Sequence, residues 1–495
     1  MNKSSRTIWF LTGTQGLYGP AALKQVETQA KAVVAGLNES EAVPLPVEFK
    51  EILIDGDKIL STIRAANADP NCIGLIAWMH TFSPAKMWIR GLKELSLPLL
   101  HLHTQYNRRI PASTIDMDFM NVNQSAHGGR EFGHVVTRLG IQRKVVVGHW
   151  QDPLIQEGIA DWMRAATGRD ELNGLKIARF GDSMRDVAVT DGDRVSAEEV
   201  FGLTVHGYGI GDLVEVMDSV PESEIASLIE EYMSLYKVAP ELKPGAERHD
   251  ALKHAALQEA AIKKFLQDGG YNAFSDSFQM LHGLDQLPGL AVQRLMAQGY
   301  GFGAEGDWKA AALLRTMKVM GQGLDGGTSF MEDYTYDFNG ADSKDLGAHM
   351  LEICPTISAQ EKPSLEIHPL GIGDKSDPVR LVFDVAPGFA VNATIVDLGD
   401  RFRVVVSEVE VEESTESYPN LPVARGLWKP LPDLPTAAAA WIYAGGSHHP
   451  IFSHAVRTEH IEDLTEMLDV ELVVIDADTR LREFKKELRW SRRAK

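Results

Sequence analysis

Apolar positions recur along this chain with two different periods, and the expected architecture changes where the period does. Residues 7–12 (Thr-Ile-Trp-Phe-Leu-Thr) form an apolar run that ends in Gly13-Thr14-Gln15-Gly16, the pattern of a buried strand entering a turn. Leu23, Val26, Ala30, Val33, Val34 and Leu37 then repeat at helical spacing. Strand-like runs return at 47–53, 72–79, 98–104 and 143–150, with amphipathic helical stretches between several of them. Strands separated by helices predict a parallel sheet covered on both faces, with ligands bound beyond the carboxyl ends of its strands. This first α/β domain spans 1–174.

A second α/β domain, 175–326, opens with Leu175-Lys176-Ile177-Ala178-Arg179-Phe180-Gly181-Asp182, a strand running into a polar turn. Helical patterns follow at 221–236 and 247–268. A further helix is expected to start at Asp307, a good N-cap residue, and to carry Ala311, Leu314 and Met317 on one face. From 327 the period shortens to two, with strands expected at 330–338, 346–353, 379–384, 390–397 and 402–411. Turns at Gly371-Ile372-Gly373-Asp374 and Leu398-Gly399-Asp400 separate them. This predicts a β-rich, antiparallel, barrel-like domain over 327–495. It closes with a helix at 460–468, a strand at 471–476 and a basic helix, Arg480 to Lys495, carrying Leu481, Phe484 and Leu488.

Length agrees with that division, since 495 residues exceed what one hydrophobic core serves. A net charge of −20 argues against a nucleic-acid partner, whose phosphates would be repelled, and suits a neutral substrate. Cys72 and Cys354 are the only cysteines, which excludes a disulfide framework and predicts a reducing compartment. The apolar run at 8–11 behind Met-Asn-Lys-Ser-Ser-Arg-Thr is too short for a signal peptide or a membrane span. A cytoplasmic protein without a membrane partner is therefore expected.

Candidate chemistry gathers in the second half. Glu305 sits in Gly301-Phe302-Gly303-Ala304-Glu305-Gly306-Asp307-Trp308, and Glu332 follows 27 positions later in Ser329-Phe330-Met331-Glu332-Asp333-Tyr334. His349 lies beyond them, and a Gly-Gly-Ser-His-His run occupies 445–449. Glu332 alternates with Phe330 and Tyr334, and His349 with Leu351 and Ile353, so each polar group is expected on an inward, apolar strand face. A carboxylate buried there needs a cation or a proton. Carboxylates with imidazoles suit Mn2+, Fe2+, Co2+ or Zn2+ better than Ca2+, and the lack of thiolates excludes a structural zinc knuckle. Singly, the same residues read as a loop Glu, an edge-strand Glu, a core His and a surface His pair. No local spacing such as His-Glu-x-x-His joins them.

Long runs resemble the L-arabinose isomerases, essentially from end to end. They include Leu11-Thr12-Gly13-Thr14-Gln15-Gly16-Leu17-Tyr18-Gly19, Asp116-Met117-Asp118-Phe119-Met120-Asn121 and Ala126-His127-Gly128-Gly129-Arg130-Glu131-Phe132-Gly133. Others are Gly181-Asp182-Ser183-Met184-Arg185, Leu287-Pro288-Gly289-Leu290-Ala291-Val292-Gln293-Arg294, and the blocks around Glu305 and Glu332. The resemblance implies two parallel-sheet, Rossmann-like domains of the fucose-isomerase type and a β-rich C-terminal domain. It implies an isomerase of arabinose catabolism that converts L-arabinose to L-ribulose; an extra hydroxymethyl, as in D-galactose, is expected to be tolerated at a reduced rate. It implies one Mn2+ per subunit on Glu305, Glu332, His349 and His449, in a homo-oligomer, commonly a hexamer. Gln15, Met184, Phe278 and His448 are expected beside the sugar, with Ile372 as a further wall, and His127 is expected to reach in from a neighbouring subunit. The chain departs from the common pattern at Ser447, where relatives carry Ala, and in the Gly303-Ala304 order.

Glu305 and Glu332 are the expected catalytic pair, passing protons between C1 and C2 and between O1 and O2 through a cis-enediolate. Which of the two is the carbon base is left open, and a hydride shift is the rival path. An isomerase of another sugar, such as L-fucose or D-galactose, is one alternative. A sugar-binding sensor is the reading from a different class, and two carboxylates at one metal argue against it.

Overall fold

The computed structural model describes residues 6–493 except Gly373 and Ser417. The start of the N-terminal segment, the centre of the expected 371–374 turn and the last two residues of the basic helix lie outside the described residues. The chain forms two compact units, one from the residues up to Asp170 with Glu462–Asp469, the other from Glu171–Ile461 with the segment from Val470 onward.

In the first unit, strands β1 (Thr7–Gly13), β2 (Val47–Leu53), β3 (Cys72–Met79), β4 (Leu99–His103) and β5 (Lys144–Val147) form a parallel sheet in the order β2-β1-β3-β4-β5. Strand alternation sends Ile8 and Phe10 into one core with Val33, Val34 and Leu37, and Trp9 and Leu11 into another with Ile59, Ile63 and Phe132. Both faces are thus covered by helices, as a parallel sheet requires. The strand order reverses between β1 and β3, the place where such sheets open a ligand crevice. Just beyond it, the Thr81 hydroxyl donates to Thr14 Oγ1 at 2.8 Å. The expected strand at 143–150 is shorter, because its partner β4 ends at His103 opposite Val147.

The second unit begins with β6 (Lys176–Phe180) and β7 (Thr204–Tyr208), then β8 (Lys237–Val238), β9 (Ala273–Asp276) and β10 (Gly301–Gly303). Four of these make a second sheet in the order β10-β9-β6-β7, all parallel. The two long helical patterns become Glu222–Leu235 and His249–Gly269. The later strands are β11 (Thr328–Phe330), β12 (Glu332–Asp337), β13 (Lys344–Ala348), β14 (Ser364–Ile367), β15 (Val379–Val382), β16 (Gly388–Asp397), β17 (Phe402–Val411), β18 (Arg425–Pro430), β19 (Ile451–Ser453) and β20 (Glu471–Ile475). Seven of them curl into an antiparallel half-barrel, β11-β19-β16-β17-β18-β13-β12, and β20 joins β17 in parallel. β8, β14 and β15 form a small separate sheet.

Several sequence expectations change here. The run 330–338 is two strands, since the Met331 N–H turns to Pro450 O and the pairing of β12 shifts between Asp333 and Thr335. Phe330 is fully buried but Tyr334 is 47% exposed, because β12 is the sheet's edge and carries this bulge. The expected strand 346–353 ends at Ala348, so His349 lies past the strand, not within it. A helix absent from the sequence reading, Leu434–Ala444, lies against the sheet and meets the terminal helix Leu481–Arg493 through Leu481, Phe484 and Leu488.

Candidate functional site

Glu305 is placed by a strand-to-helix junction. β10 stops at Gly303, a single turn Ala304–Gly306 follows, and the helix Trp308–Met320 begins. As expected, Asp307 caps that helix, accepting from the N–H groups of Lys309 and Ala310 at 3.1 and 3.2 Å. Glu305 has φ +60°, a left-handed conformation that costs a non-glycine residue energy and concentrates at functional sites. The junction is tight. A Cβ at Gly306, φ +81°, would come within 2.6 Å of Asp182 O. The Met184 N–H donates to Glu305 O at 2.8 Å, which ties the Met184 backbone to this junction.

His449 enters from the end of the helix Leu434–Ala444, which stops at left-handed Gly445. The Trp441 indole N–H donates to Ser447 O at 2.9 Å, and the Ser447 hydroxyl oxygen accepts from the His449 N–H at 3.0 Å. The Ser447 hydroxyl therefore adds a bond that braces this histidine. His449 is buried, with Nδ1 3.5 Å from Asp307 Oδ2 and Nε2 3.9 Å from Glu305 Oε2. Neither ring nitrogen has a hydrogen-bond partner. His448 Nε2 stands 3.8 Å from the same Glu305 oxygen, an electrostatic approach longer than a hydrogen bond.

His349 and Glu332 form a second pair, with Nε2 3.8 Å from Oε2. Glu352 Oε2 lies 2.5 Å from His349 Nδ1, the arrangement in which an outer carboxylate orients an imidazole and leaves its other nitrogen for a ligand. The Phe330 ring sits beside both imidazoles, 5.1 Å from His349 and 4.9 Å from His449 between centroids. Phe278 lies just beyond the carboxyl end of β9, where Asp276 is buried.

Charge follows these contacts. Burial pushes the Glu305 carboxyl up, but His448, His449 and His349 outweigh it and hold the pKa below the ordinary value. Burial acts likewise on Asp307, and Lys309 and His449 overcome it to leave the pKa at about 2. His448 is raised by Glu305. His349 is lowered by burial yet raised overall by Glu352, Glu332 and Glu305. Burial keeps His449 lowered despite Asp307, which favours the neutral imidazole that binds metals. Asp276 is driven by burial up to about 8, with Glu352 adding and His349 opposing.

The ligand atoms of Glu305, His448 and His449 all lie within 4.8 Å of one another, a spacing that could hold a metal ion. This trio includes His448, which the sequence reading placed beside the sugar, while Glu332 and His349 stand as the adjoining pair. The chemistry fits a divalent cation: one anionic and two imidazole donors, with both nitrogens of a buried histidine unpartnered.

Gln15 and His127 belong to the first unit. Gln15 is half-buried at the exit of β1. His127 is exposed on the helix Ser125–Arg138 and stacks on Phe82 at 4.4 Å. Asp307, as a charge partner, and Glu352 were missed by sequence reasoning. Glu352 follows His349 by three positions, a signal available only if an irregular turn is expected there.

Three family profiles match in chain order: the L-arabinose isomerase N-terminal domain at 2–174, its central domain at 176–323 and its C-terminal domain at 327–471. An L-arabinose isomerase from Nocardioides sp. is 56% identical over 98% of this chain and 96% of its own length. Those from Herpetosiphon aurantiacus and Geobacillus stearothermophilus are 55% and 54% identical over 98% of this chain, covering 96% and 97% of their own lengths. Such identity over nearly the whole length places the chain in the L-arabinose isomerase family.

Proposed function

We propose that the protein is a metal-dependent aldose–ketose isomerase that interconverts L-arabinose and L-ribulose. The observation that carries this reading is the gathering of Glu305, His448 and His449 within 4.8 Å, beside the Glu332–His349 pair, with neither nitrogen of the buried His449 hydrogen-bonded. Glu305, Glu332, His349 and His449 would hold the catalytic ion, taken as one Mn2+ per chain at this site. His448, within the tightest cluster, would either join them or meet a sugar hydroxyl. When bound, a divalent cation supplies Lewis acidity toward neighbouring sugar oxygens.

The chain's own groups divide the remaining work. Glu305 is held ionised by three imidazoles, so it can accept a proton near neutral pH. Glu332 would serve the second transfer, one carboxylate moving the carbon-bound proton between C2 and C1 and the other moving the proton between O1 and O2. The Phe330 ring packs beside both imidazoles, and these transfers are assigned to a cis-enediolate path. Met184 is anchored to the backbone of Glu305 and Phe278 follows β9, so both are assigned as apolar walls. Gln15 and His127 are assigned to sugar hydroxyls, with His127 contributed by a second copy of the chain in a homo-oligomer, a hexamer by family analogy. We also propose the division 1–174, 175–326 and 327–495, supported by the breaks between the matched family segments. A cytoplasmic location is proposed from the two buried, unpaired cysteines. Among the described residues no helix is long and apolar enough to cross a membrane.

The test strips metal with a chelator, supplies L-arabinose, and follows ketose formation with and without Mn2+. Restoration by Mn2+ supports the reading. L-arabinose binding without turnover under any divalent metal would overturn it in favour of a sensor. D-galactose, tested in parallel, is expected to turn over more slowly.

A further inference from the structure

β12 turns Glu332 and Asp333 to opposite faces, as successive strand residues must. Glu332 meets His349, whereas Asp333 lines a cavity of about 40 Å3 inside the curled sheet. Asp345 on β13, Asn392 on β16 and Ser407 on β17 line the same cavity, and the helix Leu434–Ala444 covers it with Leu434, Ala437 and Trp441. Asp345 and Asn392 are each only 3% exposed. Asp333 Oδ1, Asp345 Oδ1 and Asn392 Oδ1 are buried, and none has a hydrogen-bond partner. The Trp441 N–H at the edge is already committed to Ser447 O.

Three buried acceptor oxygens from three strands thus line one small cavity, each without a hydrogen-bond donor. Buried acceptors are normally satisfied, and two like charges in one small cavity repel. We propose that this cavity is a second cation site, distinct from the Glu305–His449 cluster, which binds a hard divalent cation through Asp333, Asp345 and the Asn392 carbonyl oxygen. Two carboxylates balance a double positive charge. An all-oxygen donor set selects Mg2+, Ca2+ or Mn2+ over the softer metals that imidazoles favour. The volume admits one ion with a water or two to complete its shell. The Asn392 side chain, nearly fully buried with its Oδ1 unpartnered, is the observation that separates this cavity from a chance pair of acids.

The test uses the full chain and two probes. After chelation and dialysis against Mn2+, metal analysis is expected to find two ions per chain. The double variant Glu305→Gln, His449→Ala should keep one, and Asp345→Asn should also keep one. Tb3+, a hard oxygen-seeking ion, should show indole-sensitised emission from Trp428 and Trp441, which line the cavity. That emission should persist in the double variant and fall at least tenfold in Asp345→Asn. Should Asp345→Asn fail to fold, Asn392→Leu replaces it with the same expectation. One Mn2+ per wild-type chain, or Tb3+ emission lost with the double variant, would overturn the proposal. The cavity would then hold a shared proton between its acids, with the Asn392 amide turned to donate.

Discussion

Two buried aspartates in the same compact unit have opposite electrostatic fates. Asp307 is 2% exposed and Asp345 3%, so desolvation penalises both. Yet Asp307 is held down at about 2, and Asp345 is driven well above the ordinary carboxylate range. The difference is the company. Asp307 faces Lys309 and His449 and accepts two N–H bonds from the helix it caps. Asp345 faces Asp333. Burial alone therefore does not say whether a carboxylate is a charge or an acid, and neighbours of opposite sign decide it. The same contrast separates Glu305, ringed by imidazoles, from Asp333.

The sharpest way to break the comparison is to remove charge where it is stabilised. Glu305→Gln or Glu332→Gln should lower kcat about 1,000-fold with circular dichroism unchanged, the scale of a lost acid–base group. Activity retained in either variant would remove that residue from the mechanism. Next in size, Asp307→Asn keeps a capping oxygen but leaves Lys309, itself buried, without its anion. Denaturant unfolding should show a loss of about 3 kcal/mol. A loss no larger than that of an exposed surface pair would show that the Lys309 contact with Asp191 O suffices.

Acid should expose the contrast without mutation. The Asp307 pKa in the fold lies below its ordinary 3.8, so its stabilisation is complete above that value and is lost as pH falls toward about 2. It amounts to about 2 kcal/mol. Asp345 has the opposite sign: its folded value is raised, so its protonated form stabilises at low pH and that contribution fades as pH rises. Asp345→Asn should therefore remove the fall in stability between pH 3.8 and about 9 in a profile measured without metal, and Asp307→Asn the fall below 3.8. The smallest effect is expected from Glu352→Gln, which weakens the orientation of His349. Titration with Mn2+ should show affinity reduced about tenfold, while an unchanged affinity would make Glu352 a merely structural neighbour.

Much of the fold was legible because its signals are local. The period-two faces of Ile8–Leu11, the helical spacing from Leu23 to Leu37 and the Asp307 cap each arise within a few residues. The glycine-rich frame around Glu305 also announced itself, since Gly303 and Gly306 are needed for the chain to press against Asp182 and Asp307. Other features were hidden because they depend on pairing. Alternation suggested that His349 sits inside a strand, but β13 ends where its pairing with β18 ends, at Ala348 opposite Arg425. Tyr334 follows the same two-residue rhythm as Glu332, yet an edge strand with a bulge leaves it in solvent.

Sequence by itself determined the local frames of the candidate residues: a carboxylate in a glycine turn, another on a strand, imidazoles after a helix stop. It also carried the family, through runs too long for chance agreement. Tertiary structure decided how those groups meet, drawing His448 to Glu305 and Glu352 to His349 while sending Asp333 away from Glu332 toward Asp345 and Asn392. The physical reason is range. Backbone geometry and hydrophobic period are set by nearest neighbours along the chain, whereas the charge on a buried group is set by whatever the fold brings within a few ångströms, from any distance in sequence.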